Sequence, residues 1–167
     1  YNNGQLYSRE NYKDGKQEGL YEKYFENGQA EVKGNFKDEK MEGPWEFFNE
    51  NSRLESRGNM KDGREDGLWE SYHDNGQLKS KENYKNGKAD GIFEWFHKNG
   101  QLKRRQNYKN GKEHGLWEVY NENGEDISNG LWEGFHDNGQ LRRRVNYKYG
   151  KEHGLWEGFH DNGQLWE

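Results

Sequence analysis

The sequence predicts an all-β protein, a repeat array of β-hairpins forming an elongated, twisted, single-layer antiparallel meander. Three observations carry this. An N-G-Q-L signal, with substitutions, returns every 24 residues, at Asn3, Asn27, Asn51, Asn75, Asn99 and Asn123. Segments of seven to nine residues alternate with Gly-containing turns, too short for ordinary helices and without an i, i+3, i+4 apolar stripe. Aromatic residues make up 16% of the chain and recur at fixed places beside those turns, which disordered segments do not do.

One unit is "NGQLKSKENYKNGKADGIFEWFHK", residues 75–98. It reads as an N-G turn, a strand over residues 77–85, a second Gly-rich turn over residues 86–91 and a strand over residues 92–98. Asn-Gly is favoured where both residues of a two-residue hairpin turn need positive φ. Pro44, the single proline, opens a strand, where a missing N–H is tolerated. The array of 24-residue units spans residues 1–167, with about 15 strands including a stunted and a partial one. At roughly 4.8 Å per strand it would run on the order of 70 Å.

Charge fixes the register. An even N-G loop, of two or four residues, sets Glu70 opposite Lys81, and the same rule pairs Glu22 with Lys33, Glu46 with Arg57, Glu94 with Arg105 and Glu133 with Arg144. A three-residue loop would place Glu70 against Glu82 and turn every side chain over, so the charges select the even loop. In that register Trp69, Ser71 and His73 share a face with Leu78, Ser80, Glu82 and Tyr84, while Leu68, Glu70 and Tyr72 lie on the other with Lys79 and Lys81. The Trp face is the packed one. Tyr21 faces Gly34 and Trp45 faces Gly58, in the manner of aromatic cover over a strand glycine.

Composition limits function. With 28% hydrophobic and 34% charged residues the chain cannot fill an ordinary globular core. Its net charge of -5, with both signs mixed along the length, offers no basic block for nucleic acid and no polybasic strip for anionic lipid. Absence of Cys removes disulfides, thiol catalysis and Cys-type zinc sites. No apolar run is long enough for a membrane span. The chain begins at Tyr1 and not at Met, so a removed leader is compatible with it.

At "YKNGKEHGLWE", residues 108–118 and nearly again at residues 147–157, the sequence resembles a MORN repeat. The longer unit "GLWESYHDNGQLKSKENYKNGK" resembles the MORN-repeat variant common in bacterial YwqK-type, antitoxin-like proteins, and the resemblance covers essentially the whole chain. It implies stacked hairpins, no catalytic residues and work done by binding. The function expected is therefore a non-enzymatic protein-binding module of antitoxin or immunity type, with another protein, such as a toxin, as partner and a cytoplasmic location. Two alternatives stand beside it: a carbohydrate- or cell-wall-binding module at the surface, which needs solvent-open Trp, and a structural or lipid-associated spacer.

No catalytic, metal or cofactor site is expected. His73, His97, His136 and His160 recur one repeat apart, but neighbours two strands away, at about 10 Å, cannot share an ion. His114 and His153 read as turn residues. Repeated Glu residues face a basic partner rather than a second carboxylate. The candidate binding surface comprises Trp69, Phe93, Trp117, Trp132 and Trp156, the histidines His73, His97 and His136, and Asp126 and Asn129 at the break in the rhythm.

That break is "NENGEDISNGLWEGF": after Asn123 the next return, Asn138, comes after 15 residues instead of 24, which shortens the unit over residues 123–137. The nine-residue strand is reduced to a stub over residues 125–128. An unpaired strand edge, a bend over residues 125–130 and a close approach of Trp117 to Trp132 are expected, making a notch for a partner. Both ends of the sequence cut within a unit, so a longer array is expected. For the register, Lys81→Glu should lower the melting temperature more than Lys79→Glu, because only the first sets like charges opposite Glu70; equal shifts in thermal unfolding would refute the pairing.

Overall fold

A computed structural model describes residues 1–128, 130–149 and 151–166, with Gly115 and Leu116 described by backbone alone. The chain is an all-β antiparallel meander in two compact units, Tyr1–Lys88 and Ala89–Glu167. The first contains β1 (Ser8–Lys13), β2 (Lys16–Tyr24), β3 (Ala30–Lys37), β4 (Lys40–Phe48), β5 (Leu54–Lys61), β6 (Arg64–Tyr72) and β7 (Leu78–Lys85), each pairing with the next. The two-residue β8 (Lys88–Ala89) lies at the boundary. In the second unit β9 (Gly91–Phe96), β10 (Leu102–Lys109) and β11 (Lys112–Val119) form one antiparallel run, while β12 (Gly130–Phe135), β13 (Leu141–Lys148) and β14 (Lys151–Gly158) form a separate three-stranded sheet.

Two turn types alternate, and the sequence reading had exchanged them. The K-x-G-K turns are the two-residue loops with both residues at positive φ, such as Asp62 (51°) and Gly63 (77°) between the paired Lys61 and Arg64. The Gly-rich turn expected over residues 86–91 is accordingly only Asn86-Gly87, and the strand resumes at Lys88. In the N-G turns the glycine alone has positive φ, as at Gly76 (82°). There the Gly76 N–H donates to the His73 carbonyl and the His73 N–H to the Gln77 carbonyl, both at 2.8 Å, closing a three-residue loop.

This odd loop corrects the expected even one, yet the expected register holds. Pairing runs Ser71↔Ser80 and then Tyr72↔Leu78, so Lys79 is an extra residue in a β-bulge that restores the even count. All five expected pairs stand directly opposite one another: Glu22↔Lys33, Glu46↔Arg57, Glu70↔Lys81, Glu94↔Arg105 and Glu133↔Arg144. The bulge also corrects one face assignment, since it sets Leu78 opposite Tyr72 and not beside Trp69.

Side chains tie each repeat to the next at both sheet edges. In the N-G turns the Asn Oδ1 accepts the N–H of the residue two ahead, as from Gln29 to Asn27 at 2.9 Å. The same Asn then donates from Nδ2 to a carbonyl 23 residues on: Asn3 to Glu26, Asn27 to Glu50, Asn99 to Glu122 and Asn138 to Asp161, all within 2.7–2.8 Å. At the other edge an acid caps the backbone N–H of the following K-x-G-K turn, Glu18 for Asp38, Glu42 for Asp62 and Asp66 for Asn86. These bonds stabilise the stack only modestly, about 1 kcal/mol each, but they recur.

Aromatic rings cover one face of the first unit. Trp45 is 2% exposed and touches Tyr21, Phe36 and Phe47, with Phe47 passing the contact to Trp69. Each indole lies on the glycine of the preceding strand. A Cβ at Gly34 would come within 2.3 Å of the Trp45 ring, and one at Gly58 within 2.2 Å of the Trp69 ring. Cover is thus as expected in kind but turned toward the preceding strand. Gly58→Ala should cost about 1–3 kcal/mol by displacing Trp69. Conversely, Glu39, held at φ 66° in a K-x-G-K-type turn, should gain about 1 kcal/mol as Glu39→Gly. Thermal denaturation of the two variants checks both signs.

Candidate functional site

On the face opposite the indoles, the charge pairs extend into an alternating row within each unit. In the first unit Arg9, Glu22, Lys33, Glu46, Arg57, Glu70 and Lys81 stand directly across from one another on seven successive strands. In the second, Arg105 bonds Glu94 and Glu118 on both sides, at 2.9 and 3.0 Å, and Arg144 bonds Glu133 and Glu157 at 2.8 and 3.4 Å. Tyrosines two residues beyond the Glu complete the row: the hydroxyls of Tyr24, Tyr72 and Tyr120 donate to Glu22, Glu70 and Glu118. Partial burial alone would raise the Glu70 carboxyl; hydrogen bonds from Arg57 and Tyr72 and the charges of Arg57 and Lys81 outweigh it and hold that group below the usual carboxylate range. Burial, and then the charge of Glu82, push Glu65 the other way.

Along that face of each unit runs an apolar row. The residue after the bulge glycine of each central strand is Leu20, Pro44 or Leu68 in the first unit and Ile92, Leu131 or Leu155 in the second. Leu20, Leu68 and Ile92 are 39–46% exposed, and Leu131 and Leu155 are 57% and 69% exposed. Sequence reading placed Leu68 on this face but passed over the row, whose signal was the aliphatic residue repeated between Gly and Trp.

The candidate residues do not form one site. Trp69 is half-buried, its Nε1–H on the Asn59 carbonyl at 3.1 Å; Phe93 is buried against Trp95 and Tyr108. Trp156 is exposed beside Trp166. The histidines sit on the N-G edge. His97 and His136 donate from Nε2 to the carbonyls of Tyr120 and Phe159, at 3.0 and 2.8 Å, as further staples between turns, and the His73 N–H closes its own turn. Asp126 pairs with Tyr120 and caps the Ser128 N–H. Asn129 lies outside the described residues.

Trp117 and Trp132 line one cleft, at the shortened unit. The stub over residues 126–128 bonds the end of β11, through Ile127 N–H to the Val119 carbonyl and Val119 N–H to Ser128 Oγ, both at 2.8 Å. Beyond it, β11 ends one sheet and β12 begins another among the described residues, which bears out the expected unpaired edge. Between them a cleft of about 240 Å³ is lined by Gln106 of β10, Glu113 and Trp117 of β11, and Leu131, Trp132, Glu133 and Phe135 of β12. Next to it a wider cleft of about 820 Å³ runs between residues 109–114 and residues 135–139, with His114 and His136 in its lining.

The repeat-to-repeat pairing, both edge staples and the alternating row describe one unit copied along the chain. A family model for the MORN repeat variant matches residues 17–38, 65–86, 89–110, 128–149 and 152–167, more than half of the chain. The chain belongs to the MORN repeat variant family. No curated protein matches it. MORN repeats of this kind form repeat modules that are generally non-enzymatic and often bind membrane lipids or proteins. The matched stretches leave out residues 39–64, yet β4 and β5 keep the MORN register there through Glu46↔Arg57 and Trp45↔Gly58.

The opposed shifts of Glu70, within the charge row, and Glu65, outside it, give a pH test. A depressed carboxyl contributes stability at neutral pH that is lost as pH falls through its lowered value; a raised one lowers stability at neutral pH and is relieved by protonation above the usual range. Glu70→Gln should therefore lower the melting temperature at pH 7, and Glu65→Gln should raise it. Both differences should vanish in melts run below the carboxylate range.

Proposed function

We propose that this chain is a non-enzymatic protein-binding module that grips its partner through the row of exposed aliphatic side chains beside the alternating charge row. The carrying observation is the row within each unit, Leu20 and Leu68 in the first and Ile92, Leu131 and Leu155 in the second, each 39–69% exposed at equivalent register positions. Aliphatic side chains flanked by fixed charges match a protein partner, which buries apolar groups within a polar rim. A sugar would stack on open rings, and the rings most regularly repeated here are covered, with Trp45 and Phe93 buried and Trp69, Trp117 and Trp132 half-buried. Anionic lipid is disfavoured by the net charge of -5. An antitoxin- or immunity-type role, with a toxin as the protein held, is the finer form of this reading and draws on the resemblance to YwqK-type arrays.

Paired baits test it. The double variant Leu20→Ser, Leu68→Ser should shift stability by no more than about 0.5 kcal/mol per site. In affinity capture from a host lysate it should lose the protein that the unaltered chain retains. Capture indifferent to the row, or saturable binding to a glycan array or to anionic vesicles in its place, would overturn the reading.

A further inference from the structure

The smaller cleft at the shortened unit has a chemistry of its own. Its lining holds three rings, Trp117, Trp132 and Phe135, two carboxylates, Glu113 and Glu133, and no cationic side chain. Each carboxylate has an ion-pair partner, Arg104 at 3.3 Å and Arg144 at 2.8 Å, and keeps further lone pairs. Gln106, also in the lining, is 2% exposed, and its Oε1 has no hydrogen-bond partner. A buried carbonyl oxygen without a donor is a cost to the fold that a ligand supplying an N–H recovers.

Indole faces of this unit already seat cations. The Arg104 guanidinium lies 5.2 Å from the Trp95 ring, and that of Arg143 lies 6.0 and 5.6 Å from Trp132 and Trp156. Aromatic walls, carboxylates and an unpartnered acceptor favour a positively charged donor over an anion or an apolar group. A cleft of about 240 Å³ admits one side chain and a few waters, but not a folded element.

We propose that the cleft between β11 and β12 takes a lysine or arginine side chain presented by a partner polypeptide. Its ammonium or guanidinium group lies against Trp117 and Trp132 and donates to Gln106 Oε1 and to the carboxylates of Glu113 and Glu133. The inference rests on the protein-binding reading for the source of the side chain, but it concerns a different surface from the aliphatic row.

Tryptophan fluorescence of the full chain, titrated with tetralysine, tetraarginine and tetraglutamate peptides and with maltotetraose, tests it. The two cationic peptides should saturate the signal and the other probes should not. Gln106→Val should weaken the cationic peptides roughly tenfold with no change in net charge. The variant should fold, because Val145 occupies the equivalent position between Trp132 and Trp156 and is 1% exposed. Trp132→Leu, also charge-neutral, should weaken them as well.

Unchanged affinity in both variants would mean only diffuse attraction to an acidic chain and would overturn the proposal. So would saturation by tetraglutamate or by the sugar, or no saturation by either cationic peptide. None of these outcomes touches the capture test of Leu20 and Leu68, and loss of capture there leaves the peptide titration unaffected.

Discussion

In a sheet with no second layer, a strand is held only by its two neighbours, and register is therefore the constraint on which everything else depends. A slip of one residue would carry Trp69 off Gly58 and set Glu70 beside Glu82. Here the register is specified twice over, once on each face. On one face, Trp45 and Trp69 lie so close to Gly34 and Gly58 of the preceding strand that a residue with a side chain there would collide with the ring. The alternating charges on the other face fit only in the same alignment. Each exposed charge pair contributes just about 0.2–1 kcal/mol, but a slip breaks all of them at once and sets Glu70 against Glu82.

The sequence made the fold class and this register legible because both follow from period and charge sign, which are visible without coordinates. The turns were harder to read, since Asn-Gly stands in both. What separates them is the behaviour of the first residue within the chain. In K-x-G-K turns it is Asp at 14 and 62, Asn at 86 and 110 and Tyr at 149, because positive φ is all that is asked of it. In N-G-Q-L turns it is Asn every time, and at Asn3, Asn27, Asn99 and Asn138 one atom accepts from the residue two ahead while another donates to the next repeat. Asp could do only the first.

Misreading the second turn hid half of the charge row. With residues 86–91 assigned to a loop, the pairs Arg9↔Glu22, Lys33↔Glu46, Arg57↔Glu70 and Arg105↔Glu118 had no hairpin to join them. Gly67, at φ 87°, and its equivalents are bulge residues inside strands; from sequence a glycine in a bulge and a glycine in a turn look alike. The same blind spot covered the aliphatic row, whose members directly follow those bulges. For the candidate site, sequence located the break and its two tryptophans. It could not bring Gln106 to them, because that residue belongs to the strand before, in a column whose occupants vary from Gly34 and Gly58 to Glu82 and Val145.

The shortened unit follows from the neighbour-only logic. Deleting nine residues from a packed globular domain would disturb contacts throughout its core, whereas here it alters only the strands beside the gap. The stub keeps the first positions of a complete strand, with Ser128 buried as Ser80 is, and so preserves the end of β11. Beyond the stub the staples have nothing to reach. The Asx contacts of this turn are made by Asn121, whose Oδ1 accepts from the N–H groups of Asn123 and Glu125, and where Glu18, Glu42 and Asp66 cap the turn ahead, the chain has His114, in the lining of the wider cleft. Loss of the unit thus removes the capped turn, the acid that would cap it and the strand that would have covered Trp117 together. An unpaired edge that natural sheets usually blunt is left beside two indoles and a buried amide oxygen, and a partner's cationic side chain supplies what the missing strand no longer does.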